Sequence, residues 1–102
     1  MPVKNILVVD DSPTERFFTV DLLTKAGYLV TTAESGEEGI AKAKSTKPDL
    51  ILMDVVMPGL NGYQATRKIR SDARFAPLPI VAMTAHATME ERQRCLEAGM
   101  DD

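Results

Sequence analysis

The sequence has one cysteine, Cys95, in 102 residues, so no intramolecular disulfide can staple it, and a reducing compartment fits. Basic residues are not in surplus. Twelve Lys and Arg face 15 Asp and Glu, a formal net charge of -3. They are also scattered, as Lys42, Lys44 and Lys47, then Arg67, Lys68 and Arg70, in the manner of solvated helix faces. That argues against a nucleic-acid partner, which calls for a basic stripe. No apolar run approaches the ~20 residues that a membrane span needs. Met1 leads directly into a short apolar run without a signal-peptide layout. Internal repeats, low-complexity segments and linkers are missing too. These absences predict one cytoplasmic domain with neither a nucleic-acid nor a membrane partner.

What is present is an ordinary globular composition, 44% apolar and 26% charged. Four short runs have strand character: Ile6-Leu7-Val8-Val9, Tyr28-Leu29-Val30-Thr31, Leu50-Ile51-Leu52-Met53 and Ile80-Val81-Ala82-Met83. The first, third and fourth are continuously apolar, as strands buried on both faces must be. Amphipathic stretches separate them, and the alternating order βαβαβαβα predicts an α/β fold with a parallel sheet. Helix starts are marked by Ser12-Pro13-Thr14-Glu15, Ser35-Gly36-Glu37-Glu38, Thr88-Met89-Glu90-Glu91 and, more loosely, Asn61-Gly62-Tyr63-Gln64. In each, a cap side chain can accept from a free backbone N–H while Glu or Gln reaches back. Gly27 and Gly99 fall where the first and fourth helices should stop. Phe17, Val20, Leu22 and Leu23 are expected to form the apolar face of the first helix.

The chemistry is expected where the strands end. Asp10 and Asp11 follow the first strand directly, and Asp54 follows the third. Ligands of open parallel α/β sheets bind outside the carboxyl ends of the strands, so all three carboxylates fall on the functional edge. Neighbouring carboxylates repel, and one would hold its proton unless a cation neutralised them. A hard divalent ion, Mg²⁺ above all, suits an all-oxygen site. Thr84 ends the fourth strand on the same edge, where its hydroxyl can bond a phosphoryl oxygen. Acidic residues after strands also cap helices or simply face water. The recurrence at the ends of two strands, with the Met57-Pro58-Gly59 turn and Thr84-Ala85, favours a site. Pro58, Gly59 and Gly62 are read as loop shape, His86 as a surface residue, and the methionines as core and loop filler.

In these features the sequence resembles the response-regulator receiver domain, over the whole chain. Ile6-Leu7-Val8-Val9-Asp10-Asp11 resembles its first strand and acidic pair, and Leu52 through Gly62 its phosphorylation loop. Pro79-Ile80-Val81-Ala82-Met83-Thr84-Ala85 resembles its fourth strand and switch threonine, and Ala98-Gly99-Met100-Asp101-Asp102 the turn after its fourth helix. The resemblance implies a flavodoxin-like, doubly wound parallel sheet, present as (βα)4 of the usual (βα)5. It implies a phosphoacceptor of two-component phosphorelay signalling. Asp54 would be the nucleophile toward a phosphohistidine or acetyl phosphate. Asp11, Asp54 and the backbone carbonyl of Val56 would bind Mg²⁺ directly, with Asp10 acting through water. Thr84 would sense the phosphoryl group. Partners would be a histidine kinase or phosphotransfer protein and a downstream protein target. Such a module is not an enzyme on an external substrate; it catalyses only its own phosphorylation and dephosphorylation.

The family continues into a fifth strand and helix, carrying a lysine that pairs with the phosphoryl group. This sequence ends at Asp102, so residues 1–102 read as a receiver domain lacking those elements, and none of its lysines is assigned that role. The fourth strand is then expected to be an exposed edge through which copies associate. An alternative is a signalling-inactive, receiver-derived fragment or engineered scaffold that self-associates. A Mg²⁺-dependent phosphatase working through an aspartyl phosphate wants a second aspartate two positions after the nucleophile. Asp54 is followed by Val55 and Val56.

Overall fold

Alternating apolar runs and capped amphipathic stretches fold, in the computed structural model, as β1 (Asn5–Val9), α1 (Pro13–Lys25), β2 (Leu29–Ala33), α2 (Gly36–Thr46), β3 (Leu50–Asp54), α3 (Gly62–Arg70), β4 (Ile80–Met83) and α4 (Met89–Ala98). The structure describes residues 3–55, 59–72, 75, 78–83 and 89–100, with the backbone alone at 83, 89–92 and 95. The four strands form one parallel sheet in the order β2-β1-β3-β4. Each connection carries a helix, as parallel neighbours require.

Side chains alternate across the sheet, and the two faces are covered unequally. Leu7, Val9, Ile51, Met53 and Ile80 point into the core, against Ala43 of α2, Ala65 and Ile69 of α3, and Met100. The helices α2, α3 and α4 pack side by side over that face. On the other face α1 packs on β1 and β2. Val8 is fully buried there, whereas Leu52 and Val81 are only partly covered. Burial on both faces, expected of three strands, therefore holds for β1; β3 alternates between buried Ile51 and Met53 and half-buried Leu50 and Leu52.

The apolar face expected for α1 needs correction. Val20 and Leu23 are half-buried together with Arg16 and Thr19, the four positions that face the sheet at helical spacing. Phe17, Phe18 and Leu22 are 66–70% exposed, and no residue of α1 is fully buried. A single helix over two strands has room to bury one narrow stripe, and Phe17 and Leu22 lie outside it.

Caps form as the sequence suggests, with one reversal. The Ser12 and Ser35 hydroxyls accept from Glu15 N and Glu38 N at 3.3 and 3.1 Å. The Glu38 carboxylate pairs forward along the helix with Lys42 at 3.1 Å. The looser Asn61 start is the reciprocal box, with Gln64 N donating to Asn61 Oδ1 and Asn61 N to Gln64 Oε1, both at 3.0 Å. Thr88 lies outside the described residues. Gly27 and Gly99 take positive φ of 99° and 103° just past α1 and α4, as the expected stops require. At the far end of the sheet from the strand C-termini, Asp49 accepts from Lys4 N and Asn5 N at 3.0 Å each, tying the starts of β1 and β3 together.

Candidate functional site

The register sets the site. Val9 pairs with Met53, so Asp10 and Asp54 leave the sheet side by side at the C-terminal ends of the two central strands. Asp10 is 2% exposed, Asp54 half-buried. Burying a carboxylate demands compensating donors. Asp10 N continues the sheet to Ala33 O at 3.0 Å, and Asp10 Oδ1 accepts from Ser12 N at 2.9 Å. That last bond is an Asx turn, which carries the chain from β1 into α1. Arg16 completes the corner: one guanidinium nitrogen donates to Asp10 O at 2.8 Å, and another pairs with Glu34 at 3.3 Å.

The Asx turn accounts for the third acid of the site. In a capping box the N3 glutamate would accept from the cap backbone N–H, but Asp10 already bonds Ser12 N. Glu15, an exposed residue in the first turn of α1, instead brings its carboxylate to the site. Oxygens of Asp10, Glu15 and Asp54 lie within 4.8 Å of one another. Three negative groups at that separation, one buried and one half-buried, form a donor set of hard oxygens suited to a small divalent cation.

Of the expected site residues, Asp10 and Asp54 are thus brought together. Asp11 is exposed and is not among the three whose oxygens converge. Thr84 and Val56 lie outside the described residues, as does His86. β4 is placed, however: Met83 pairs with Asp54, which brings the C-terminal end of β4 to the same edge. Glu15 and Arg16 were missed from sequence. Their signal was the Asp-x-Ser spacing of Asp10 and Ser12, which gives the cap N–H to the aspartate and releases the glutamate.

The loop leaving Asp54 returns directly beneath it. Gly62 N donates to Val55 O at 3.4 Å. A Cβ on Gly62 would overlap the Asp54 carbonyl oxygen and lie 2.8 Å from Val55 Cα. Gly36, at the start of α2, also approaches this loop closely, with its would-be Cβ 2.5 Å from Leu60 O. The starts of two helices thereby fix the backbone around Asp54. Among the described residues, no helix is long and apolar enough to cross a membrane.

Comparison with known proteins agrees with this geometry. The protein PilH of Pseudomonas aeruginosa is 51% identical over 79 residues, 78% of this chain and 65% of PilH. The sensor histidine kinase RcsC of Salmonella typhimurium is 44% identical over 96 residues, 94% of this chain and 10% of RcsC. The chain thus spans about two-thirds of one of these relatives and a tenth of the other. The chemotaxis protein CheY4 of Vibrio cholerae superposes with a TM-score of 0.91 at 32% identity, covering 97% of this chain and 82% of CheY4. The receiver domain of the Pseudomonas aeruginosa sensor histidine kinase PA1611, solved with magnesium coordinated in its active-site cleft, gives 0.89 at 39% identity over 99% of this chain and 83% of that one. The sequence matches the response regulator receiver domain over residues 6–102, and the chain belongs to that family.

Proposed function

We propose that this chain is a phosphoacceptor module of two-component signalling, taking a phosphoryl group onto Asp54. The observation that carries the reading is the convergence of Asp10, Glu15 and Asp54 at the C-terminal edge of a parallel sheet, within 4.8 Å. An Asp54 carboxylate oxygen attacks the phosphorus of a phosphohistidine. The O–P bond forms as the P–N bond breaks, the imidazole leaves and takes up a proton, and an acyl phosphate remains. Acetyl phosphate serves in the same way, with acetate leaving.

The donor set fits Mg²⁺, and the receiver of the kinase PA1611 holds that ion in its cleft. In this reading Asp54, Asp11 and the Val56 carbonyl would hold the ion directly, and Asp10 would act through water. Asp11, exposed beside Asp10, serves from the solvent side, and Glu15 adds a further oxygen. When bound, Mg²⁺ would supply charge neutralisation for the transferring group, where positioning and electrostatics do most of the work. Arg16 holds the Asp10 corner in place, and Gly62 sets the Asp54 backbone. Thr84 turns to the phosphoryl oxygens and reports the modified state. The phosphodonor partner is a histidine kinase or phosphotransfer protein, the output is a downstream protein in the cytoplasm, and no external substrate is turned over.

Intact-protein mass after incubation with acetyl phosphate and Mg²⁺ tests this. One added phosphoryl group on the wild type and none on Asp54→Asn is expected. Equal incorporation in Asp54→Asn would place the acceptor elsewhere.

A second reading, self-association of this chain, is favoured by a separate observation. β4 is an edge strand, and Phe17, Phe18, Leu22 and Leu29 are each 66–70% exposed. Unpaired strand edges and contiguous apolar surface both favour pairing with a second copy. This reading does not depend on Asp54 chemistry.

A further inference from the structure

The start of α3 and the later turns of α4 enclose a recess of ≈ 370 Å³, open to solvent and lined by none of the three converging carboxylates. It is lined by Asn61, Tyr63, Gln64, Arg67, Arg94 and Glu97. Its volume is at the low end for a small-molecule pocket, and its walls are polar where such pockets are mostly apolar. Two positive groups against one negative make its charge opposite in sign to that of the whole chain, which carries -3.

The hydrogen-bonding account points to the kind of ligand. Asn61 Oδ1 and Gln64 Oε1 are both consumed by the reciprocal cap of α3. What those two side chains retain is their NH₂ groups, which can only donate. Glu97 Oε1 accepts from Gln93 Nε2 at 3.2 Å, along its own helix. Arg16 and Arg70 are engaged, Arg16 with Asp10 O and Glu34 and Arg70 with the Gly99 and Phe75 carbonyls. Arg67 and Arg94 are both exposed, and among the described residues neither side chain has a hydrogen bond or an ion pair. The recess therefore presents two guanidinium forks and two carboxamide donors beside a single carboxylate. Guanidinium forks match carboxylates bidentately.

We infer that this cleft binds an acidic segment of a protein partner, with carboxylate side chains received by Arg67 and Arg94. The donors come from two helices across an open groove. That arrangement suits an extended segment laid along it better than a small anion, which needs donors converging on one point. The inference uses none of the phosphoacceptor carboxylates and stands apart from the reading of Asp54.

The test is a titration of the ¹⁵N-labelled 102-residue chain with hexaglutamate blocked at both ends, followed by amide shifts. Blocked hexaglutamine is the control and inorganic phosphate the competitor. Shifts confined to residues 61–67 and 93–97 are expected with hexaglutamate alone, weakening as salt rises. Arg67→Gln and Arg94→Gln, both at exposed positions that leave the core intact, should each weaken binding about five-fold. Glu97→Gln should tighten it about two-fold by removing the one repelling charge. Asp54→Asn should bind as the wild type does. Equal response to hexaglutamine, indifference to both arginine substitutions, or loss of binding in Asp54→Asn would each overturn the proposal. Displacement by phosphate at equimolar concentration would also overturn it, in favour of a simple oxyanion site.

Discussion

Gly62→Ala sets two physical rules against each other. Gly62 is the first residue of α3, and helix propensity alone favours alanine by up to about 1 kcal/mol. The packing favours glycine. A Cβ here would overlap the Asp54 carbonyl oxygen and come within 2.8 Å of Val55 Cα and 2.9 Å of the Asp54 carbonyl carbon. All three are backbone atoms at the end of a core strand, so no side-chain rotation relieves the clash. Overpacking costs about 1–3 kcal/mol, and an unyielding backbone places this case at the upper end. Set against the propensity gain, the net loss is about 2 kcal/mol. For a domain of this size that lowers Tm by roughly 8–16 °C. Urea and thermal unfolding of the variant beside the wild type measure it. A Tm equal to or above wild type would refute the claim that the start of α3 is seated on the Asp54 backbone. With it would go the account of how that carboxylate is positioned.

Thr66 is fully buried in α3 with no hydrogen-bond partner for its hydroxyl among the described residues, so Thr66→Val should be neutral or stabilise by about 1 kcal/mol, read from the urea midpoint. The Asn5 and Lys4 backbone N–H groups hold the Asp49 carboxyl below the usual carboxylate range. A depressed folded pKa contributes stability that is present above the unfolded value, near 3.8, and is lost as pH falls through the folded one; Asp49→Ala should therefore flatten the acid limb of a stability–pH profile below about pH 4. Light scattering over a concentration series should show the chain associating, and Phe18→Ser with Leu22→Ser should shift it toward monomer; a wild type that stays monomeric at high concentration would end the self-association reading.

The fold was legible in the sequence because parallel strands are short apolar runs and the helices between them carry caps. β4 was located to the residue, and β1 and β3 to within one. β2 was set one residue early and ended two residues short. Tyr28 N bonds Leu23 O and belongs to the close of α1, while pairing to Val9 carries the strand on to Ala33. Composition cannot show that an edge strand of threonines pairs through its backbone. The face of α1 was misjudged because period 3.6 names the apolar residues without saying how much surface awaits them. In the site, Asp10 and Asp54 were readable as strand ends. Glu15 was not, because its side chain follows from who bonds Ser12 N, a competition settled in three dimensions.

The division of the site between β1, β3 and α1 has a consequence for how it comes apart. Asp10 and Asp54 end strands at the centre of the sheet, flanked on both sides. Opening there demands nearly the full unfolding free energy. Glu15 rides on a helix with no fully buried residue, a unit that can detach at far lower cost. The carboxylate cluster is therefore a joint between the centre of the sheet and a helix that is more weakly held. A cation that bridged it would fasten α1 to the sheet, and its binding would be recorded as slowed amide exchange along α1 after Pro13, while the strands kept the protection they already had.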